Sequence, residues 1–198
     1  MSKFLLLLGP SGVGKSTLIK ELMNVDSRFV YISPYITRPL REDEKDKIFV
    51  TNETMNDMAN KGEFLVINEI YGIKYATPRK PIEEAFRSGK FPVLDWPIHK
   101  IGIMTDAFGE QLYQVYISPP SLEELKVRID KDNRDQNGAR FKEAENELKK
   151  FWAGKFDDVL DIKVVNKVGQ FPQIAKAIYL EYMRFSGEGN INPNKEKL

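Results

Sequence analysis

The sequence predicts an α/β fold: a parallel five-stranded sheet covered by helices on both faces, with a small mixed α/β region inserted after the second strand. Three observations carry this expectation. Short apolar runs without polar alternation recur along the chain, as expected for strands buried on both faces. Amphipathic stretches of helical length separate them. A glycine-rich loop joins the first run to the first helical stretch.

Taken in order, the core strands are expected at Lys3–Leu8, Phe29–Ile32, Pro92–Trp96, Tyr113–Ser118 and Ile162–Asn166. The helices are expected at Ser16–Met23, Ser121–Asp130, Arg140–Trp152 and Ile174–Phe185. Residues 34–88 break this rhythm. There Lys47–Thr51, Glu63–Asn68 and Ile73–Ala76 read as short strands around one helix, Glu53–Lys61, which suits a compact insertion. Residues 1–33 and 89–185 then form the core, with a polar, Gly-containing loop at about 128–140 as a lid. Residues 186–198 read as a flexible tail rich in Gly, Asn, Pro and Lys.

Composition excludes several classes of function. The 198 residues carry 30 Lys plus Arg against 29 Asp plus Glu, too balanced for a dedicated nucleic-acid or membrane-surface binder. Cysteine is absent, so disulfides, thiolate metal sites and a cysteine nucleophile are excluded. The single histidine, His99, leaves no basis for poly-His metal binding. The apolar run before Gly9 is too short for a signal core, and no stretch approaches the roughly 20 apolar residues of a membrane span. The expectation is a cytoplasmic protein.

Gly9-Pro10-Ser11-Gly12-Val13-Gly14-Lys15-Ser16 matches the P-loop pattern, with a strand before it and a helix after it. Its glycines let successive amides face phosphate oxygens, and the helix N-terminus adds positive potential at the same spot. Lys15 is placed for the β- and γ-phosphates, and Ser16 for Mg²⁺. Thr17 closes the motif. A nucleoside triphosphate is therefore the expected ligand, on a P-loop NTPase core. Val165-Asn166-Lys167-Val168 begins like the guanine-reading motif of GTPases. Gly169 stands where that motif needs an aspartate, which disfavours a GTPase.

Two further features bear on chemistry. The strand ending at Asp95 places a carboxylate where a Mg²⁺ or substrate ligand is expected, though a turn aspartate before Pro97 would look the same. Thr37-Arg38-Pro39-Leu40-Arg41 sets two guanidiniums in a constrained turn suited to a second phosphate. A solvated charge run is the alternative, since Glu42, Asp43 and Glu44 follow directly.

With GPSGVGKST, TRPLRxxE, Gly62-Glu63-Phe64, Val93-Leu94-Asp95, YISPPSLEELKVR and Val164-Val165-Asn166 in this order, the chain resembles the guanylate kinases from Phe4 to about Tyr182. The resemblance implies an ATP-dependent nucleoside monophosphate kinase that transfers the γ-phosphate of ATP to GMP or dGMP, with Mg²⁺. It implies that Gly9 to Thr17 and Asn166 bind ATP, and that Arg38, Arg41, Tyr75, Thr77 and Asp95 bind the acceptor. Lys15, Arg38, Arg128 and Arg140, with Arg134 as a possible addition, are the implied catalytic cations. Partners are small-molecule nucleotides, with a monomer or homodimer expected and no nucleic acid or membrane.

The sequence also departs from that pattern. Val66 and Pro97 stand where the family carries guanine-reading carboxylates, Pro34 or Tyr35 replaces a serine, and Lys47 replaces a phosphate-contacting tyrosine. A valine cannot accept from the two donors on guanine's edge, and an unpaired buried donor costs about 1–3 kcal/mol. Either Asn68 or Glu69 compensates, or the acceptor is another base or ribose 1,5-bisphosphate, because Tyr35-Ile36-Thr37-Arg38 also resembles ribose 1,5-bisphosphokinase. A third reading is a non-catalytic guanylate-kinase-like binding module; the retained Lys15 and Ser16 weigh against it.

Overall fold

The computed structural model describes residues 3–42, 44–70, 72–132, 135 and 137–188. Its main sheet joins β1 (Phe4–Leu8), β2 (Phe29–Tyr31), β7 (Phe91–Asp95), β8 (Leu112–Ser118) and β9 (Ile162–Val165). Their spatial order is β2-β7-β1-β8-β9, and every neighbouring pair is parallel. The second sheet, in the order β4-β3-β6-β5, joins β3 (Tyr35–Ile36), β4 (Ile48–Phe49), β5 (Phe64–Ile70) and β6 (Ile73–Pro78).

The helices are α1 (Lys15–Val25), α2 (Asn52–Asn60), α3 (Arg79–Arg87), α4 (Ile101–Phe108), α5 (Leu122–Lys131), α6 (Ala139–Trp152) and α7 (Phe171–Phe185). Side-chain caps start two of them: Thr51 accepts from the Thr54 amide at 3.1 Å, and Ser121 from the Glu124 amide at 3.2 Å. Each cap satisfies an amide that has no partner inside its helix.

The continuous apolar run of β1 explains the layering. Leu5 and Leu7 pack on one face with Leu18 and Leu22 of α1 and Ile178 and Tyr182 of α7. Phe4, Leu6 and Leu8 pack on the other with Ile82, Met104, Leu125 and Leu148, from α3, α4, α5 and α6. All five residues of β1 are fully buried, which a strand covered on both faces requires. The parallel core therefore matches the sequence expectation. Among the described residues no helix is long and apolar enough to cross a membrane.

Three elements add to the sequence-based set. Strand β3 is only two residues long, too short to show alternation. Helix α3 has a clear apolar face but carries Pro81 in its first turn, a residue that reads as a breaker, and α4 is largely apolar with Gly102 near its start, so it shows no distinct face. At the other end of the chain, Glu188 Oε2 lies 2.5 Å from Arg28 Nη1 and ties residues 186–188 to the turn before β2. The rest of the expected tail, 189–198, lies outside the described residues, as does Arg134.

Candidate active site

The carboxyl ends of β1, β7, β8 and β9 lie along one edge of the main sheet, the edge where open α/β sheets place their ligands. Gly9 to Gly14 cross it between β1 and α1. Gly9, Gly12 and Gly14 have φ of 130°, 82° and 97°. These are backbone positions that a side chain resists, and the surroundings are as tight as the dihedrals. A Cβ on Gly14 would lie 2.7 Å from Asn166 Nδ2 and 2.8 Å from Phe171 Cε1.

Lys15 is the first residue of α1 and folds back over this loop. Its ammonium donates to Gly9 O at 2.6 Å and Pro10 O at 2.9 Å. Burial lowers its pKa, while the Asp95 and Glu147 carboxylates oppose that shift and Arg140 adds to it. Arg140 reaches the same loop from the start of α6. Its Nη2 donates to Ser11 Oγ at 2.6 Å and its Nη1 to Asp132 Oδ2 at 3.2 Å. Asp135 holds this corner by accepting from the Arg140 and Phe141 amides, each at 2.9 Å. These bonds satisfy two amides in the first turn of α6 beside the loop.

Asn166 and Arg128 sit behind the loop. Asn166 is fully buried at the end of β9 and donates from Nδ2 to Val13 O at 2.7 Å, while its Oδ1 has no hydrogen-bond partner among the described residues. Arg128 donates to Asn166 O at 2.8 Å, to Val13 O at 3.5 Å and to the Glu124 carboxylate. In this conformation both side chains brace the loop from β9 and α5. Ser16 and Thr17 are exposed on the first turn of α1.

Asp95 ends β7 opposite Leu7 and accepts from the Tyr31 hydroxyl at 3.0 Å. Sequence reasoning missed Tyr31, and it also missed Glu147. Burial pushes the Glu147 pKa up, although Lys15 and Tyr116 oppose the rise, and its Oε1 accepts from Tyr116 at 3.0 Å. The spacing Arg140, Ala144, Glu147, Leu148 holds the signal that would have found it, since these residues share one helix face.

The second sheet carries the remaining candidate residues. Arg38 Nη1 and Nη2 grip the Glu44 carboxylate at 2.6 and 2.7 Å, and the Lys47 ammonium lies 3.1 Å from the same carboxylate. The Glu44 hydrogen bonds raise the Arg38 pKa, and Tyr75 on β6, paired with Ile36, adds to the rise. Arg41 is exposed; its amide donates to Glu44 Oε2 at 3.4 Å. Thr77 is buried in β6 and pairs with Val66 across β5. Asn68, also buried in β5, accepts from Lys100 Nζ at 3.0 Å, a link between the second sheet and the segment after β7.

Arg38, followed by Lys47, depresses the Glu44 pKa from its ordinary 4.5 to about 2. The folded state thus favours the ionised carboxylate. This contribution to stability is complete above pH 4.5 and is lost as the pH falls towards 2. Urea midpoints of wild type and Glu44→Gln should differ most near neutrality and converge between those limits. A gap that stays constant with pH would refute the ion-pair account.

Comparison with known proteins agrees with this geometry. The guanylate kinase family matches residues 1–185. A guanylate kinase of Nitrosomonas europaea is 35% identical over 140 residues, 69% of either chain. One of a Nostoc species is 33% identical over 170 residues, covering 83% of this chain and 82% of the relative. The crystal structure of guanylate kinase from Anaplasma phagocytophilum superposes with a TM-score of 0.71 at 25% identity, over 96% of this chain and 88% of that one. Shikimate kinase from Acinetobacter baumannii shares the fold at a TM-score of 0.51 and 16% identity, over 93% and 94% of the two chains. The chain belongs to the guanylate kinase family.

Proposed function

We propose that this protein is a phosphotransferase that moves the γ-phosphoryl group of ATP to the phosphate of GMP or dGMP. The observation that carries the reading is the convergence of Lys15, Ser11 and Arg140 on one phosphate-binding loop, in a chain of this family. ATP takes the loop from Gly9 to Thr17, with Asn166 behind it. The acceptor takes the second sheet, with Arg38, Arg41, Tyr75 and Thr77. In this reading residues 34–88 carry the acceptor and the 128–140 segment closes over it, with Arg140 leading.

A phosphate nucleophile is already anionic at neutral pH, so the reaction needs positioned positive charge more than a general base. Lys15 and Arg140 supply that charge at the donor, and Arg38 at the acceptor. Arg128 acts through the loop that it braces. Closing the two regions together would exclude water, the competing acceptor.

The donor set suits Mg²⁺. Among the described residues no cluster of three or more His, Cys, Asp or Glu could cage a metal by itself. Mg²⁺ in kinases is held by one or two protein oxygens together with phosphate and water. Ser16 and Asp95 would be those ligands, and the ion would neutralise phosphate charge.

A second reading keeps the chemistry and changes the acceptor. It is favoured by Val66 on β5 and by the Lys100–Asn68 contact, which puts a cation and an amide near the position where the family reads guanine with carboxylates. One assay decides: ADP release from Mg-ATP with GMP, dGMP, AMP, UMP, CMP, dTMP or ribose 1,5-bisphosphate. GMP and dGMP are expected to exceed the others in kcat/KM by at least about tenfold, or roughly 1.4 kcal/mol. Equal turnover of all acceptors would refute the guanine assignment, and turnover of none would refute the kinase.

A further inference from the structure

Helix α6 carries a buried carboxylate for which the phosphoryl transfer described above has no use. Arg140 stands in the first turn of the helix and reaches Ser11 on the glycine loop, and Glu147 follows seven residues later. Seven residues are almost two full turns, so the two side chains leave the helix within about 20° of each other, about 10 Å apart along its axis. Burial opposes the charge of Glu147, and Lys15 lies near enough for its ammonium to feel that charge. An anion beside a phosphate loop weakens phosphate binding, so the benefit of this carboxylate must lie elsewhere.

Its partner shows where. Glu147 Oε1 accepts from the Tyr116 hydroxyl at 3.0 Å. Tyr116 is fully buried in β8, in register with Leu8, the residue before Gly9. Its ring stacks on Phe151, one turn further along α6, with centroids 4.1 Å apart and planes inclined by 14°. Ala144 and Leu148, on either side of Glu147, press the helix onto the apolar face of the sheet. Such contacts are non-directional and resist rotation about the helix axis only weakly. A hydrogen bond has a preferred direction and fixes that rotation. The lever is long: turning α6 by about 10° moves a group about 6 Å from its axis by about 1 Å. A displacement of about 1 Å costs on the order of 10²-fold in a reaction that depends on placement.

We propose that Glu147 is a positioning residue: bonded to Tyr116 beside the root of the glycine loop, it fixes the rotation of α6 and so the point at which Arg140 meets the phosphates. This rests on the phosphotransferase reading above. Loop and guanidinium then share one reference, since β8 is both the neighbour of β1 and the mooring of α6.

The test compares Tyr116→Phe, Glu147→Gln and Glu147→Ala, each alone and combined with Arg140→Ala, in steady state with Mg-ATP and GMP. Tyr116→Phe keeps the ring and removes only the donor, and Glu147→Gln keeps an acceptor oxygen. Tyr116→Phe and Glu147→Ala are expected to lower kcat about tenfold with the GMP KM within about twofold, while Glu147→Gln stays within about threefold of wild type. In the Arg140→Ala background the same changes should cost less than about twofold, because no guanidinium is left to misplace. A purely structural role would give the full losses in that background and would overturn the proposal, as would a wild-type kcat in Tyr116→Phe. Glu147→Gln as slow as Glu147→Ala would overturn it too, since charge and not the hydrogen bond would then be at work. If GMP is not phosphorylated at all, amide hydrogen exchange of residues 139–146 decides alone. Exchange about tenfold faster there in Tyr116→Phe, with α7 unchanged, keeps the mooring without the kinase activity, and unaltered exchange removes both.

Discussion

Lys15→Ala is expected to lower kcat by at least about 10²–10³-fold while leaving the thermal midpoint within a few degrees of wild type. The magnitude is that of removing one preorganised charge from the transferring group. The structure supplies the reason for the intact fold. Among the described residues the lysine ammonium bonds the carbonyls of Gly9 and Pro10, on the loop at the carboxyl edge of the sheet. Without it, those carbonyls turn to water. Its desolvation, the main cause of its lowered pKa, disappears as well. Glu147 keeps its hydrogen bond from Tyr116, and Asp95 keeps the one from Tyr31. Rate measurements beside a thermal melt check both halves. Activity within tenfold of wild type would remove the loop from the mechanism, and a collapsed melt would turn Lys15 into a structural residue.

The glycine loop of the candidate site was legible in the sequence because its pattern is written in consecutive residues. Gly9 to Ser16 form a pattern in which strand, turn and helix each have local causes, and β1 is apolar on both faces because both are covered. Arg38 was readable as a cation in a constrained turn, and Arg140 through the resemblance alone. What they touch was not, because contact is a long-range property. Nothing local says that Arg140 reaches Ser11, or that Arg128 braces Val13 and Asn166 behind the loop. Glu147 escaped notice for the same reason, since its partners Tyr116 and Lys15 lie far away in sequence. Glu44 was visible within TRPLRxxE, yet its task of joining Arg38 to Lys47 needs the turn to close first. The two residues of β3 show no alternation, the clear face of α3 was masked by Pro81 in its first turn, and α4 is too uniformly apolar to show a face.

Gly9→Ala should be among the most damaging single methyl additions in this protein. Gly9 follows β1 directly with φ at 130°, outside the conformations open to an alanine. Its Cβ would lie 2.3 Å from the backbone oxygen of Ile117. No rotamer relieves that overlap, because the obstacle is main chain in β8, which pairs with β1 along the whole strand. Backbone strain of about 1–3 kcal/mol and overpacking of similar size then act together. The sum, roughly 2–6 kcal/mol, is a large share of a total of about 5–15 kcal/mol. At 2–4 °C per kcal/mol for a chain of this size, the midpoint should fall by roughly 4–24 °C. Gly62→Ala separates the two terms: its φ is 70°, but nothing lies within 4 Å of the added carbon. That change should cost only about 1–2 kcal/mol, the left-handed backbone term. Thermal melts of the two variants side by side test the argument. Equal shifts would mean that β8 yields to the new methyl and that close approach at Gly9 does not hold the loop; a much larger shift at Gly9 would mean that the glycine loop takes its shape from the sheet beneath it.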